Sequence, residues 1–183
     1  MGSLFGTDGI RGRAGEGWLS TGAARLIGLT LGRDLDLALE KPEGAPHRAV
    51  LGHDGRRSGP ELQAAFAEGL REAGYECVSA GLITTPGLAI IGRLDSYDLA
   101  VMISASHNPA RDNGIKIFGP GGEKLADEVE EQIEMHLLAA GLPEAPCEAA
   151  PMVTDFTLEE SYIAFLVKAS GGLSLAGLDI VLD

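Results

Sequence analysis

The sequence predicts a layered α/β domain built on a mixed, largely parallel sheet. Three observations carry that reading. Short apolar runs alternate with stretches of helical periodicity, glycine-rich loops follow two of those runs, and from residue 48 onward the order is β-α-β-α-β-β-α. Helical crossovers give parallel neighbours, and the two consecutive strands around residue 110 add one hairpin-like pair.

The first helix is expected at 21–39, where Ala24, Ile27, Leu31 and Leu35 recur at helical spacing. Residues 41–47, with two prolines and a glycine, read as a surface loop, and 48–52 as a short strand. Ser58, Gly59 and Pro60 open a helix with proline in its first turn. Leu62, Phe66, Leu70 and Ala73 share one face of it, and Gly74 suits its C-terminal cap. A strand follows at 76–80, and Thr85-Pro86 opens a short apolar helix. Strands at 99–104 and 114–118 precede a helix at 127–140 with acidic first turns. Residues 143–151 read as a linker, and Thr157 with Glu160 as the capping box of a helix reaching about 169. An apolar strand is expected at 178–182, which makes the chain read as part of something longer and gives it an edge through which it could pair as a homodimer.

Composition narrows the function classes. Hydrophobic residues make up 45% and charged residues 22%, as in ordinary globular proteins. No window approaches the roughly 20 apolar residues of a membrane span. The N-terminal segment lacks a basic stretch followed by an apolar core, so a cytoplasmic location is expected. Gly2 is no myristoylation signal, because Gly6 stands where Ser or Thr is required. A net charge of −13 argues against nucleic acid or an anionic membrane as partner. Cys77 reads as an inert core thiol, and Cys147, His47, His53 and His136 show no metal-ligand spacing. Against the acidic background, six of the 14 Lys and Arg fall in three glycine-rich stretches: Arg11, Arg13, Arg56, Arg57, Arg111 and Lys116. They form either a local anion site or solubilising charge on turns.

Those stretches are built on FGTDGIRG from Phe5, with Arg13 directly after it, GHDGRRSG from Gly52, and ISASHNPARDNGIK from Ile103. The second and third leave the C-terminal ends of expected strands, where open α/β sheets place their ligands. A serine on such a turn can serve as a nucleophile if something takes its proton. Lys116 on the next strand, Arg11 from the first loop and the adjacent His107 suit phosphoryl transfer: a hydroxyl acceptor, a candidate base, and cations facing phosphate oxygens. Acyl transfer fits poorly, because no G-x-S-x-G elbow is present. The plainer readings are an Asx-type turn at Asn108-Pro109 and a helix cap in which Asp54 and Ser58 bond backbone amides.

Taken together and in order, the three motifs resemble the α-D-phosphohexomutases, and most of all the branch that acts on glucosamine phosphates. The resemblance implies a three-layer α/β/α first domain over residues 1–150. It also implies a connecting helix and first strand of a second α/β domain over 151–183. It implies that Ser106 is phosphorylated and donates its phosphoryl group to a hexosamine phosphate, through a bisphosphate that reorients and returns its other phosphate. Lys116 and Arg11 become candidates for the base, with His107 beside them. Thr7, Asp8 and Asn108 shape the loops, and Asp54, Arg56 and Ser58 support the serine loop. The cofactor implied is Mg²⁺, touched here only by the phosphate on Ser106, with its main ligands expected beyond Asp183. Three departures from the family pattern stand out: Gly55 replaces a common Thr, Ala110-Arg111 replaces an often aromatic pair, and the metal-binding D-G-D-x-D-R motif does not occur in these residues. The rival expectations are the same chemistry on mannose or glucose phosphates, and a non-catalytic phosphate-binding module.

Overall fold

A computed structural model describes residues 4–6, 9–36 and 45–181. Among these residues lie the strands β1 (Ile10–Arg13), β2 (His47–His53), β3 (Tyr75–Leu82), β4 (Leu99–Ile103) and β5 (Asp112–Phe118). They form one sheet in the order β1-β5-β4-β2-β3. β2 runs parallel to both β3 and β4, whereas β5 is antiparallel to β4 and to β1. The sheet is therefore mixed, and the hairpin-like pair is β4–β5.

Alternation along the strands feeds two cores. Ala49, Leu51, Leu99, Val101, Ile103, Ile115 and Ile117 point to one face. There they meet Ile27 and Leu31 of α1 (Thr21–Asp36), Phe66 and Leu70 of α2 (Gly59–Glu72), and Ile133 and Leu137 of α4 (Asp127–Ala140). Val50, Ala80, Ala100 and Met102 point to the other face. Leu88 and Ile91 of α3 (Thr85–Leu94) and Leu158 of α5 (Thr157–Ala169) cover them. Helices on both faces make the three layers.

α1 and α2 pack closely because glycines line the contact. A Cβ on Gly69 would collide with the carbonyl oxygen of Arg25 and come within 2.7 Å of the Leu29 amide nitrogen. Both are backbone atoms that no rotamer change can move away.

Four local expectations need correcting. The first glycine-rich stretch is only half a loop, because Ile10–Arg13 pairs along the free edge of β5 as an edge strand. Four residues containing a glycine and two arginines carry almost no strand propensity, and the pairing comes from the neighbour instead. The capping box at Thr157 is not made. Asp155 Oδ1 accepts from the Thr157 N–H and hydroxyl at 3.0 and 2.6 Å, so the acceptor lies two positions before the one the pattern suggests. The linker at 143–151 is tethered to the first helix, since the Cys147 N–H donates to Thr21 Oγ1, and just beyond it Thr154 pairs with Ser79 at the outer edge of β3. Finally, residues 178–181 form no strand. Leu178, Ile180 and Val181 are exposed, with no strand among the described residues beside them to complete a ladder. Leu182, Asp183 and the expected helix end and loop at 37–44 lie outside the described residues.

Candidate active site

The serine loop leaves the end of β4. Ser104 is buried, its N–H bound to the Gly114 carbonyl at 2.9 Å, and its hydroxyl accepts from the Ser106 N–H at 3.1 Å. The chain then turns sharply. Ser106 has φ of 55°, in the left-handed region that a residue with a Cβ adopts only when its surroundings impose it. Its side chain and that of His107 are exposed.

What imposes the turn is Arg56, from the loop after β2. Its Nη2 donates to the carbonyls of Ser106 and Asn108 at 2.8 and 2.9 Å, and its Nη1 to those of Pro109 and Asp112 at 2.7 and 3.0 Å. Nε donates to Asp54 Oδ2 at 3.1 Å, and Asp54 Oδ1 accepts the Arg56 N–H. All five guanidinium N–H groups are thereby engaged. Asp54 is tied to the sheet in turn, its N–H donating to the Ile103 carbonyl at 3.2 Å. Inside the loop, Asn108 donates from its N–H to the Ala105 carbonyl and from Nδ2 to Asp112 Oδ2.

The second loop and β5 meet at a residue that sequence reasoning passed over. Asn113 is fully buried; its Nδ2 donates to Ser58 Oγ at 2.9 Å and its Oδ1 accepts the Gly114 N–H at 2.9 Å. Ser58 stands at the start of α2 without capping it through its side chain. The only available signal was an amide within an otherwise apolar strand.

Arg11 lies opposite Gly114 on β1, and Lys116 lies two residues along β5, so both point to the sheet face that carries α3. A Cβ at Gly114 would stand 3.2 Å from Arg11 Cγ, so the missing side chain lets Arg11 cross β5. Lys116 is half-buried beside Met102 and opens into a cleft with Gly9, Thr85, Phe118, Lys124 and Glu130. The N-terminal segment fits closely there: Gly9 has φ of 95°, and a Cβ on it would collide with the Ile115 carbonyl. Glu134 of α4 accepts the N–H groups of Leu4 and Phe5 at 2.8 and 3.2 Å. Thr7 and Asp8 lie outside the described residues.

The six motif cations therefore do different work. Arg56 spends its donors inside the protein, and Arg13 pairs with Glu16 at 3.1 Å. Arg11 and Lys116 share the sheet face that carries α3, Arg11 opposite Gly114 and Lys116 two residues further along β5. Among the other titratable groups, burial holds His53 below the ordinary histidine value, with Asp54 partly opposing it, and the Gly55 N–H donates to its Nδ1. Burial pushes the Cys77 thiol up to about 12, which leaves it inert.

Residues 2–142 match the family model described as phosphoglucomutase/phosphomannomutase, alpha/beta/alpha domain I. The chain belongs to that family. Among curated members, it is 42% identical to the phosphoglucosamine mutase of Thermobifida fusca, aligned over the whole chain but only 40% of that protein. It is 43% identical to the phosphoglucosamine mutase of Solibacter usitatus, over 96% of the chain and 37% of the relative. A solved structure from Thermus thermophilus, assigned provisionally as a phosphomannomutase, superposes with a TM-score of 0.72 at 28% identity, over 90% of this chain and 35% of that one. The chain thus spans about two fifths of the length of the relatives it matches. Domain I of this family supplies the layered scaffold on which the three motif segments converge.

Proposed function

We propose that this chain is the serine-bearing part of a phosphoglucosamine mutase, which interconverts glucosamine 6-phosphate and glucosamine 1-phosphate. The observation that carries the reading is Ser106, held in a left-handed turn at a strand end, exposed, with Arg11 and Lys116 on the adjoining sheet face. The names of the relatives supply the sugar.

Phosphorylated Ser106 gives its phosphoryl group to the sugar O1. The Oγ–P bond breaks, an O1–P bond forms, and the O1 proton passes to a base, for which Lys116 is the candidate, with Arg11 as a cation facing the phosphoryl oxygens. The bisphosphate turns over. Ser106 Oγ then attacks the phosphorus on O6, O6 takes up a proton, and Ser106 is phosphorylated again. Phosphorus, charge and protons balance over the cycle, and the net change is 6-phosphate to 1-phosphate. His107 and Asn108 flank the reacting oxygen, and the Asp54–Arg56–Ser58 group supports the loop from behind. A cytoplasmic location goes with this reading.

The family implies Mg²⁺, which when bound neutralises charge on the transferring phosphoryl group. The described residues hold no group of three or more His, Cys, Asp or Glu placed to bind a metal. Among the described residues, Ser106 would contribute a ligand through its phosphate, and the remainder would come from elsewhere in the enzyme.

Ser106→Ala in the full-length protein tests the assignment. Turnover should fall to background and intact mass should lose the phosphate adduct of roughly 80 Da. An undiminished adduct on that variant would move the phosphate to another residue, and normal turnover would sink the reading altogether. Turnover by the unmutated enzyme on mannose or glucose phosphates in preference to glucosamine phosphates would retain the chemistry and replace the substrate.

A further inference from the structure

We infer that Arg56 is a positioning residue for phosphoryl transfer and binds no phosphate itself. The inference rests on the mutase reading above, but its evidence is geometric. A guanidinium offers five N–H donors in a planar fork. Here all five are taken, four by the carbonyls of Ser106, Asn108, Pro109 and Asp112 and one by Asp54. The side chain is only 12% exposed, so its remaining surface offers a substrate phosphate no edge to grip. An arginine in a phosphohexomutase active-site loop would ordinarily be read as an anion ligand. This one has no donor left for an anion.

What the clamp does follows from its acceptors. Four carbonyls drawn from seven residues converge on one cation, which fixes the peptide planes between them. Across a trans peptide the N–H points opposite to the preceding carbonyl. With the Ser106 carbonyl on Arg56, the His107 N–H is turned away from the clamp, and among the described residues it has no protein acceptor. That leaves a backbone donor beside Ser106, turned to the side of the loop away from Arg56. The same bond holds Ser106 at φ 55°, a conformation that serine would otherwise leave. Arg56 thus acts on the reaction through the orientation of Ser106 and of the following amide.

Lysine cannot substitute. It keeps the charge but presents three donors around a point, and cannot reach four carbonyls and a carboxylate in a plane. The test uses Arg56→Lys and Arg56→Ala in the full-length enzyme. Misplacing a nucleophile by about 1 Å costs on the order of 10²-fold, so kcat should drop by about that factor in Arg56→Lys with KM for the sugar phosphate within about threefold. Hydrogen exchange across residues 105–112 should speed up while α1 and α2 stay protected. Millimolar guanidinium should restore part of the kcat of Arg56→Ala and none of that of Arg56→Lys. A raised KM with kcat intact would make Arg56 a phosphate ligand and overturn the inference, as would unchanged exchange in the loop. If either variant fails to fold, Asp54→Asn weakens the Nε contact without emptying the site, and the same kcat-selective loss is required of it. Absence of turnover in the unmutated protein would sink the mutase reading alone; the exchange comparison would still judge the clamp, faster exchange upholding it and unchanged exchange overturning it.

Discussion

Ser58→Ala separates two accounts of the loop after β2. By sequence, Ser58 is a helix N-cap, and replacing such a residue with alanine costs about 1 kcal/mol while glycine costs only a few tenths. In the structure Ser58 has φ −82° and ψ −5°, not the extended backbone of a capping residue, and its side chain caps nothing. Its hydroxyl instead accepts from Nδ2 of Asn113, which is fully buried. Removing the hydroxyl strands that donor, at a cost of about 1–3 kcal/mol. Glycine removes it equally and adds backbone freedom, so Ser58→Gly should be at least as destabilising as Ser58→Ala. Urea unfolding followed through the single tryptophan, Trp18, which packs against the main core, gives the free energies. For a domain of this size each kcal/mol lowers Tm by about 2–4 °C. In an Asn113→Ala background the Ser58→Ala cost should shrink to about 0.5 kcal/mol or less, a coupling that only a direct contact gives. If Ser58→Gly kept wild-type stability while Ser58→Ala lost about 1 kcal/mol, the hydroxyl would be a cap after all and the bridge to Asn113 would carry no weight.

Other predictions draw on different parts of the molecule. Gly69→Ala gains about 1 kcal/mol of helix propensity but drives a Cβ into the backbone of α1, so it should destabilise by about 1–3 kcal/mol net, measured by urea titration. Burial holds His53 below the usual histidine range, so below pH about 6.5 the unfolded chain binds a proton that the folded chain resists. Stability should therefore fall as pH drops from about 7.5 through 6.5 and level off once folded His53 is itself protonated; urea midpoints for the wild type and His53→Gln should diverge from each other only over that window. In the full-length enzyme Lys116→Arg keeps the charge but cannot accept a proton near neutrality, so turnover should fall on the order of 10²-fold. Near-normal turnover in that variant would reduce Lys116 to an electrostatic anchor and leave the base to another group of the site.

Much of the scaffold was legible because local and tertiary preferences agree. α2 shows its apolar face, its early proline and its terminal glycine in sequence, and the structure uses all three. β4 is buried on both faces and reads as a continuous apolar run. Legibility ends where a partner decides the outcome. β1 is a strand because β5 has a free edge, and residues 178–181 are not one because no described edge lies beside them, although the second segment is by far the more apolar. The site divides the same way. Motif order pointed to Ser106 at a strand end, Lys116 on the next strand and Arg11 in the first motif. It could not tell that Arg56, an arginine among arginines, has every donor committed to its own protein, nor that Asn113 ties the second loop to the third. Those are facts about acceptors, and the acceptors are carbonyls and a hydroxyl that no side-chain pattern displays.

The spacing of the three motifs follows from the same geometry. Each supplies something that the serine loop lacks. The third brings Ser106 but, being a turn with a left-handed residue, would relax if left alone. The second reaches across from the neighbouring parallel strand, with Arg56 holding four of its carbonyls and Ser58 receiving Asn113 on its far side. The first closes the other flank. β1 pairs with β5 from Asp112 to Ile115, the Ala14 N–H takes the Arg111 carbonyl, and Gly9 packs against the backbone of Ile115. The turn is thus pinned on one side by side-chain hydrogen bonds and on the other by backbone pairing, both from segments far away in sequence. Such a loop can present an exposed hydroxyl at one fixed angle while its own residues stay small and polar. A change in either flanking motif should therefore be felt at Ser106 before it is felt in the core, because the strands behind the loop are buried independently on two helical layers.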